Sequence, residues 1–169
     1  GGIGAFFGAR LHAAGCEVMF LARGAHAAAL RDGLVLDEPS GITRVPIKVL
    51  DTTTPDALTE LGQADWVIFA TKSQHTRTLA QQIAPHLRPG CHIGSFQNGV
   101  DNEPILAEVF ARTVMGGLCR GFFAHLTAPG CVQVRGQRYQ VVVGDYPTGI
   151  SPRTEHLAAL LTQGGFEVQ

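Results

Sequence analysis

Apolar and polar positions along this chain switch repeatedly between a helical and an extended period. Phe6, Phe7, Ala9, Ala13 and Ala14 form one stripe at helical spacing, which predicts a short helix over 6–14 closed by Gly15 as its C-terminal cap. Residues 17–22 are short and mostly apolar, the pattern of a buried strand. A helix follows around 25–32, ended by Gly33, and then two extended pieces, 34–36 and 43–47, flank the turn Glu38-Pro39-Ser40-Gly41. A short helix is predicted over 55–61, with Thr54 as its cap and Pro55 at its first position. Residues 66–70 are continuously apolar, as a central parallel strand covered on both faces must be. The spacing then predicts a helix at 76–87, a turn at Pro89-Gly90, a strand at 91–96, a helix at 103–111 and a strand near 113–115. After Gly116 the pattern changes. Residues 132–135 alternate as a half-buried strand, and 140–143 are read as their hairpin partner across Gly136. A helix over 151–162, capped by Ser151 with Pro152 in its first turn, and a last strand at 164–168 complete the chain.

Strands alternating with helices define an α/β protein with a doubly wound, mostly parallel sheet, and the later segments add antiparallel strands at its edge. No linker divides the chain, so residues 1–169 read as one domain. Its first residues, Gly1-Gly2-Ile3-Gly4, have the spacing of the second and third glycines of a G-x-G-x-x-G turn. In that turn the second glycine lets backbone approach a pyrophosphate and the third lets the helix pack closely on the sheet. The helix N-terminus supplies free N–H groups to the anion. On this reading the motif is Rossmann-type, and its first strand and first glycine are expected upstream of residue 1.

Composition narrows the function classes. A net charge of -1 offers no basic surface for nucleic acid or an anionic membrane. No apolar run approaches the ~20 residues that span a bilayer. Cys16, Cys91, Cys119 and Cys131 are scattered without a C-x-x-C pair, the usage of free thiols in a reducing compartment, so a cytoplasmic location is expected. The seven histidines include no H-E-x-x-H or close pair, so no metal site is expected. His75, His92 and His125 have no evident triad partners and are read as structural or surface residues.

The ends of the strands carry the candidate chemistry. An acid about 20 residues past the glycines would hold a ribose 2′-hydroxyl. This chain has Ala22-Arg23-Gly24-Ala25-His26 there, and the planar fork of Arg23 suits a 2′-phosphate; the competing reading is a solvated surface arginine. After 66–70 come Thr71-Lys72-Ser73-Gln74. Lys72 is placed to meet phosphate or ribose and Gln74 to bond adenine, unless the segment is a routine helix start. After 91–96 come Gln97-Asn98-Gly99, whose amides sit where a nicotinamide or substrate carbonyl would be oriented. Asn-Gly is also an ordinary turn signal, and spacing alone favours the turn.

Taken together, the glycine start, Leu-Ala-Arg-Gly-Ala-His at 21–26, Lys-Ser-Gln-His-Thr at 72–76, Ser-Phe-Gln-Asn-Gly-Val-Asp-Asn-Glu at 95–103 and the later Met-Gly-Gly and Ala-Pro-Gly resemble the ketopantoate reductase family. The resemblance runs through essentially the whole chain and corresponds to that family's N-terminal domain. The Gln97–Asn102 string is its most specific part. The resemblance implies NADP(H) as cofactor, held by Gly1, Gly2, Ile3, Gly4, Arg23, Lys72, Gln74 and Asn98, with Asn98 also beside the substrate and the Gly116–Cys119 segment passing close by. It implies a 2-keto acid substrate, 2-dehydropantoate, and a helical C-terminal domain beyond Gln169 that carries the proton-donating lysine. A homodimer is compatible with it. Three readings compete: the same fold and cofactor acting on another 2-keto acid, a non-catalytic dinucleotide sensor, and a glycine-rich methyltransferase. The last would want an acid where Ala22-Arg23 stands.

Overall fold

The computed structural model describes residues 1–169, the side chains of Pro55 and Asp56 excepted. The elements are α1 (Gly2–Ala13), β1 (Met19–Ala22), α2 (Gly24–Leu30), β2 (Leu34–Glu38), β3 (Gly41–Val45), β4 (Lys48–Asp51), β5 (Trp66–Phe69), α3 (Thr76–Ile83), β6 (His92–Ser95), α4 (Asn102–Phe110), β7 (Val114–Ala128), β8 (Cys131–Tyr146), α5 (Pro152–Gln163) and β9 (Glu167–Val168). Short 3₁₀ segments occupy Pro55–Gln63, Ser73–His75 and Ala84–His86.

The sheet is mixed and mostly parallel where the site lies. β5, β6 and β7 run parallel, with Phe69 beside Ser95 and Ser95 beside Gly116. Beyond β7 the strands turn antiparallel: β8 returns along β7, β2 lies parallel to β8, and β3 closes the edge against β2. The early β2–β3 hairpin therefore extends the late end of the sheet. A separate parallel pair joins β1 to β4.

Four expectations change. The glycines are the first turn of α1 rather than a loop before a helix at Phe6: the Ala5 N–H already bonds Gly1 O at 3.0 Å. Gly15 does follow the helix with φ +89°, as a C-terminal cap requires. β4 was not foreseen, because Lys48-Val49-Leu50-Asp51 holds only two apolar residues after a proline. The segment expected as a helix at 55–61 is 3₁₀, and Thr54 donates its hydroxyl to Asp51 O instead of capping it. Finally, Gly136 is not a hairpin turn. β8 runs through it, and the turn lies at Gly130 with φ +73°. Gly136 (φ +154°) faces Gly121 (φ +80°), where the register shifts between Arg120 and Phe122. A Cβ on Gly121 would stand 2.6 Å from Arg138 O, so the two glycines make a bulge that bends a continuous ribbon.

Two apolar clusters hold the layers. One packs α1 and α5 on the sheet around Phe6, Phe7 and Leu161, with Phe7 stacked between Phe96 (centroids 4.1 Å apart) and Phe166 (4.4 Å). The other packs α3 and α4 around Ile83, Ile93, Leu106 and Phe110. Between β1 and β5, each of which pairs on one edge only among the described residues, lies a cavity of about 1310 Å³. Phe20 and Ala22, Trp66 and Ile68, and Gly8 and Leu11 line it. Among the described residues no helix is long and apolar enough to cross a membrane.

Candidate functional site

Parallel strands end together on one side of a sheet, and that edge is where open α/β folds bind ligands. Here the ends of β1 and β5 flank the N-terminus of α1, so Ala22, Ala70, Thr71, Gly1 and Gly4 share one end of the cavity with His26. The N–H groups of Gly2, Ile3 and Gly4 have no carbonyl one turn back to bond, and they give the helix end its partial positive charge. The glycines differ in their surroundings. A Cβ on Gly1 would meet nothing nearer than Ala70 O at 3.6 Å, so its outer side is open. A Cβ on Gly4 would stand 2.9 Å from the Ala70 Cβ, so α1 sits on the end of β5 as only glycine allows. Gly2 is a packing glycine as well: a side chain there would collide with the Ala124 carbonyl of β7.

Positive charge gathers at this end. Burial lowers the pKa of His26, whose Nδ1 accepts the Gly130 N–H at 3.1 Å. Lys72 and Gln74 are exposed on the 3₁₀ turn that follows β5. Arg23 is exposed at the N-cap of α2, directly after β1, and among the described residues it makes no ion pair. Backbone N–H groups at the start of α1, with Lys72 after β5 and Arg23 after β1, are the parts of a cradle that would suit a polyanion.

Asn98 stands at the end of β6. Gly99 has φ +107°, so the Asn-Gly turn is real, and Asn98 itself is exposed on it. Gln97 points the other way and is 6% exposed. Its Nε2 donates to Thr71 O (3.0 Å) and Thr76 Oγ1 (2.8 Å). A carbonyl can only accept, so the amino end must face Thr71 and the orientation of the amide is fixed. The Gln97 Oε1 is then buried without a partner among the described residues, an acceptor suited to an N–H donor from a bound molecule. Two buried polar residues beside Gln97 and Asn98 for which sequence reasoning gave no role are Thr76 and Asn102, at 0% and 1% exposure. Each begins a helix, and a polar residue there reads as an ordinary cap.

Gly116 and Gly117 continue the site along β7. Gly117 lies so close to Phe96 that any side chain would strike the ring. Cys119 is half-buried behind them, and burial pushes its thiol up to about 12. His75 and His125 are exposed, and His92 lies at the start of β6, away from the strand ends that carry Asn98. Among the described residues no group of His, Cys, Asp or Glu could hold a metal ion.

A Rossmann-type α/β domain with an anion cradle at its strand ends is thus the class that fold and site define. The profile of the ketopantoate reductase PanE/ApbA family matches residues 1–148, and the chain belongs to that family. It is 33% identical over 169 residues to the 2-dehydropantoate 2-reductase of Archaeoglobus fulgidus, covering all of this chain and 53% of that protein. A PanE/ApbA family ketopantoate reductase from Ralstonia eutropha JMP134 superposes with TM-score 0.86 at 28% identity, over 100% of this chain and 53% of that one. The 2-dehydropantoate 2-reductase from Geobacter metallireducens GS-15 gives TM-score 0.85 at 28% identity, over 100% and 55%. The chain spans about half the length of the relatives it matches.

Proposed function

We propose that this chain is the NADPH-binding half of a 2-dehydropantoate 2-reductase, with the remaining length of the protein supplying the rest of the substrate site. The observation that carries this reading is the cradle: the N-terminus of α1 flanked by the ends of β5 and β1, with Lys72 and Arg23 just beyond those ends. Family membership and the names of the relatives support the same reaction.

The residues present fit the cofactor. Gly1 leaves the helix end open for a pyrophosphate, and the free N–H groups of Gly2, Ile3 and Gly4 face that position. Lys72 adds a point charge to it. Arg23 carries the fork that distinguishes a 2′-phosphate from a ribose diol, and Gln74 lies toward the adenosine side. When bound, the dinucleotide supplies a hydride, which adds to the ketone carbon while a proton reaches its oxygen. Within this chain the exposed amide of Asn98 orients the reacting ends by hydrogen bonds, which is a positional contribution. The chain's two lysines do not supply the proton in this scheme. Lys48 is hydrogen-bonded to Glu60, which raises its pKa and makes it a poor acid, and Lys72 is committed to the anion.

The test is titration of the full-length protein with NADPH and NADH, then addition of 2-dehydropantoate while NADPH absorbance is followed. Oxidation that depends on 2-dehydropantoate is the expected result. Tight NADPH binding with turnover only on a different 2-keto acid would replace the substrate and keep the cofactor. Absence of NADPH binding would overturn the reading.

A further inference from the structure

We propose that Ser73 and Asn102 form a two-sided clamp on the backbone of Asn98, set by Thr76, and that the clamp positions Asn98 for turnover. This rests on the reading of Asn98 given above. Four segments meet here: the turn after β5, the turn after β6 and the first turns of α3 and α4. The carbonyl of Asn98 accepts from Ser73 Oγ at 2.7 Å and from Asn102 Nδ2 at 3.0 Å. Asn102 Nδ2 also reaches Ser73 Oγ at 3.4 Å, so the two donors brace one another. On its other side Asn102 Oδ1 accepts from Thr76 Oγ1 at 2.9 Å, and Thr76 Oγ1 accepts from Gln97 Nε2 at 2.8 Å. The chain of bonds has one direction, from the Gln97 amide through Thr76 and Asn102 to the Asn98 carbonyl. With Thr76 and Asn102 at 0% and 1% exposure, water does not compete for its inner links.

The arrangement answers a problem set by the turn. Gly99 at φ +107° makes the Asn98–Gly99 backbone conformationally free, and Asn98 is exposed. A side chain on such a turn does not hold a reacting group to a fraction of an ångström by itself. Anchoring its carbonyl from two different elements removes that freedom and leaves the Asn98 amide unoccupied. Ser73 and Asn102 are therefore positioning residues. They act through Asn98 and touch neither cofactor nor substrate in this scheme.

The experiment uses the full-length protein with Ser73→Ala, Asn102→Asp and the pair Thr76→Val and Thr76→Ser. Asn102→Asp keeps the acceptor for Thr76 and removes the donor to Asn98. Ser73 is exposed, so Ser73→Ala keeps the fold if the buried substitution does not. Backbone order parameters at Asn98 and Gly99 are measured by NMR without ligand, and kcat, KM and NADPH affinity are measured beside them. The expected result is a fall of the order parameters from about 0.85 toward 0.6 in Ser73→Ala and Asn102→Asp. With it kcat/KM falls roughly tenfold or more, since small misplacements carry such effects, while NADPH affinity stays within about twofold. Thr76→Ser stays near the parent and Thr76→Val follows Asn102→Asp. Unchanged order parameters in both Ser73→Ala and Asn102→Asp would overturn the clamp, whatever the kinetics. Loosened Asn98 with unchanged turnover would overturn its positioning role. An Asn98→Ala variant with parental turnover would place the failure in the reading of Asn98 itself.

Discussion

Replacing Arg23 with alanine separates cofactor choice from folding, because the structure leaves this side chain with nothing else to do. Arg23 is exposed at the N-cap of α2 and makes no ion pair among the described residues. Its loss should therefore stay within the ~0.5 kcal/mol of a surface substitution. For a domain of this size that is a change in Tm of roughly 1–2 °C. Its proposed work is on a 2′-phosphate, through charge-assisted hydrogen bonds worth about 1.5–3 kcal/mol. At about 1.4 kcal/mol per tenfold, NADPH affinity should fall by roughly 10- to 150-fold, and NADH affinity should hardly move. An exposed pair is screened by salt, so the preference for NADPH should narrow as ionic strength rises. Arg23→Lys keeps the charge and loses the fork, and should fall between the parent and the alanine variant. Fluorescence titrations of both cofactors at two salt concentrations, with a thermal melt of each variant, decide the matter. Equal losses for NADPH and NADH would refute the assignment, and so would an unchanged NADPH affinity.

Three further outcomes follow from the packing and the charges. Phe7→Ala removes the ring stacked between Phe96 and Phe166 and should destabilise by about 3–5 kcal/mol, a Tm loss of roughly 6–20 °C; a loss below about 1 kcal/mol would mean that the aromatic layer is not the core. His26 is held below its ordinary 6.5 by burial, so folding favours its neutral form. Its contribution to stability is complete above 6.5 and is lost as pH falls from there through the folded-state value. Denaturant titrations at pH ~7.5 and ~5.5 should show a smaller drop in His26→Gln than in the parent, and equal drops would remove His26 from the account. Cys119, pushed up to about 12, holds about one part in ten thousand as thiolate at pH ~8, so it should resist iodoacetamide until the protein is unfolded; mass spectrometry showing its rapid alkylation in the folded protein would contradict its burial.

The elements visible in the sequence were those whose burial is written in consecutive residues. Trp66-Val67-Ile68-Phe69 read as a central parallel strand covered on both faces. It is parallel to β6 but stands at the edge of the sheet with three of its four residues half-buried, and its end is where the sequence placed Lys72 and Gln74. Arg23 and Asn98 were found in the same way, as residues at strand ends. β4 left no such trace, because its pairing with β1 is tertiary and only Val49 and Leu50 are apolar within it. The long ribbon was also hidden. β7 is exposed along much of its length, with Leu118 and Phe123 more than half exposed, so its inward and outward residues do not alternate cleanly in hydrophobicity. Gly136 looked like a turn because a positive φ serves a bulge as well as a hairpin. Thr76 and Asn102 fell inside the family-like strings at 72–76 and 97–102, but no role could be read for either. Their meaning lies in a bond between positions 26 residues apart, and locally each is an ordinary polar residue at a helix start.

The site divides its work by burial. Arg23 and Lys72 are exposed and, in the proposed function, act through charge, so they should set how tightly a dinucleotide is held and how that depends on salt. Thr76, Asn102 and Gln97 are buried and act through short, oriented hydrogen bonds, so they set where Asn98 stands and are largely indifferent to salt. The two sets also belong to different elements. The charges sit on the turns after β1 and β5, and the buried network ties the turn after β5 to that after β6. Charge variants should therefore move cofactor affinity and leave the chemical step nearly alone. Network variants should do the reverse. An arrangement in which Asn102→Asp weakened NADPH binding as much as Arg23→Ala does, or in which Arg23→Ala slowed turnover at saturating NADPH, would show that the two halves are not separate.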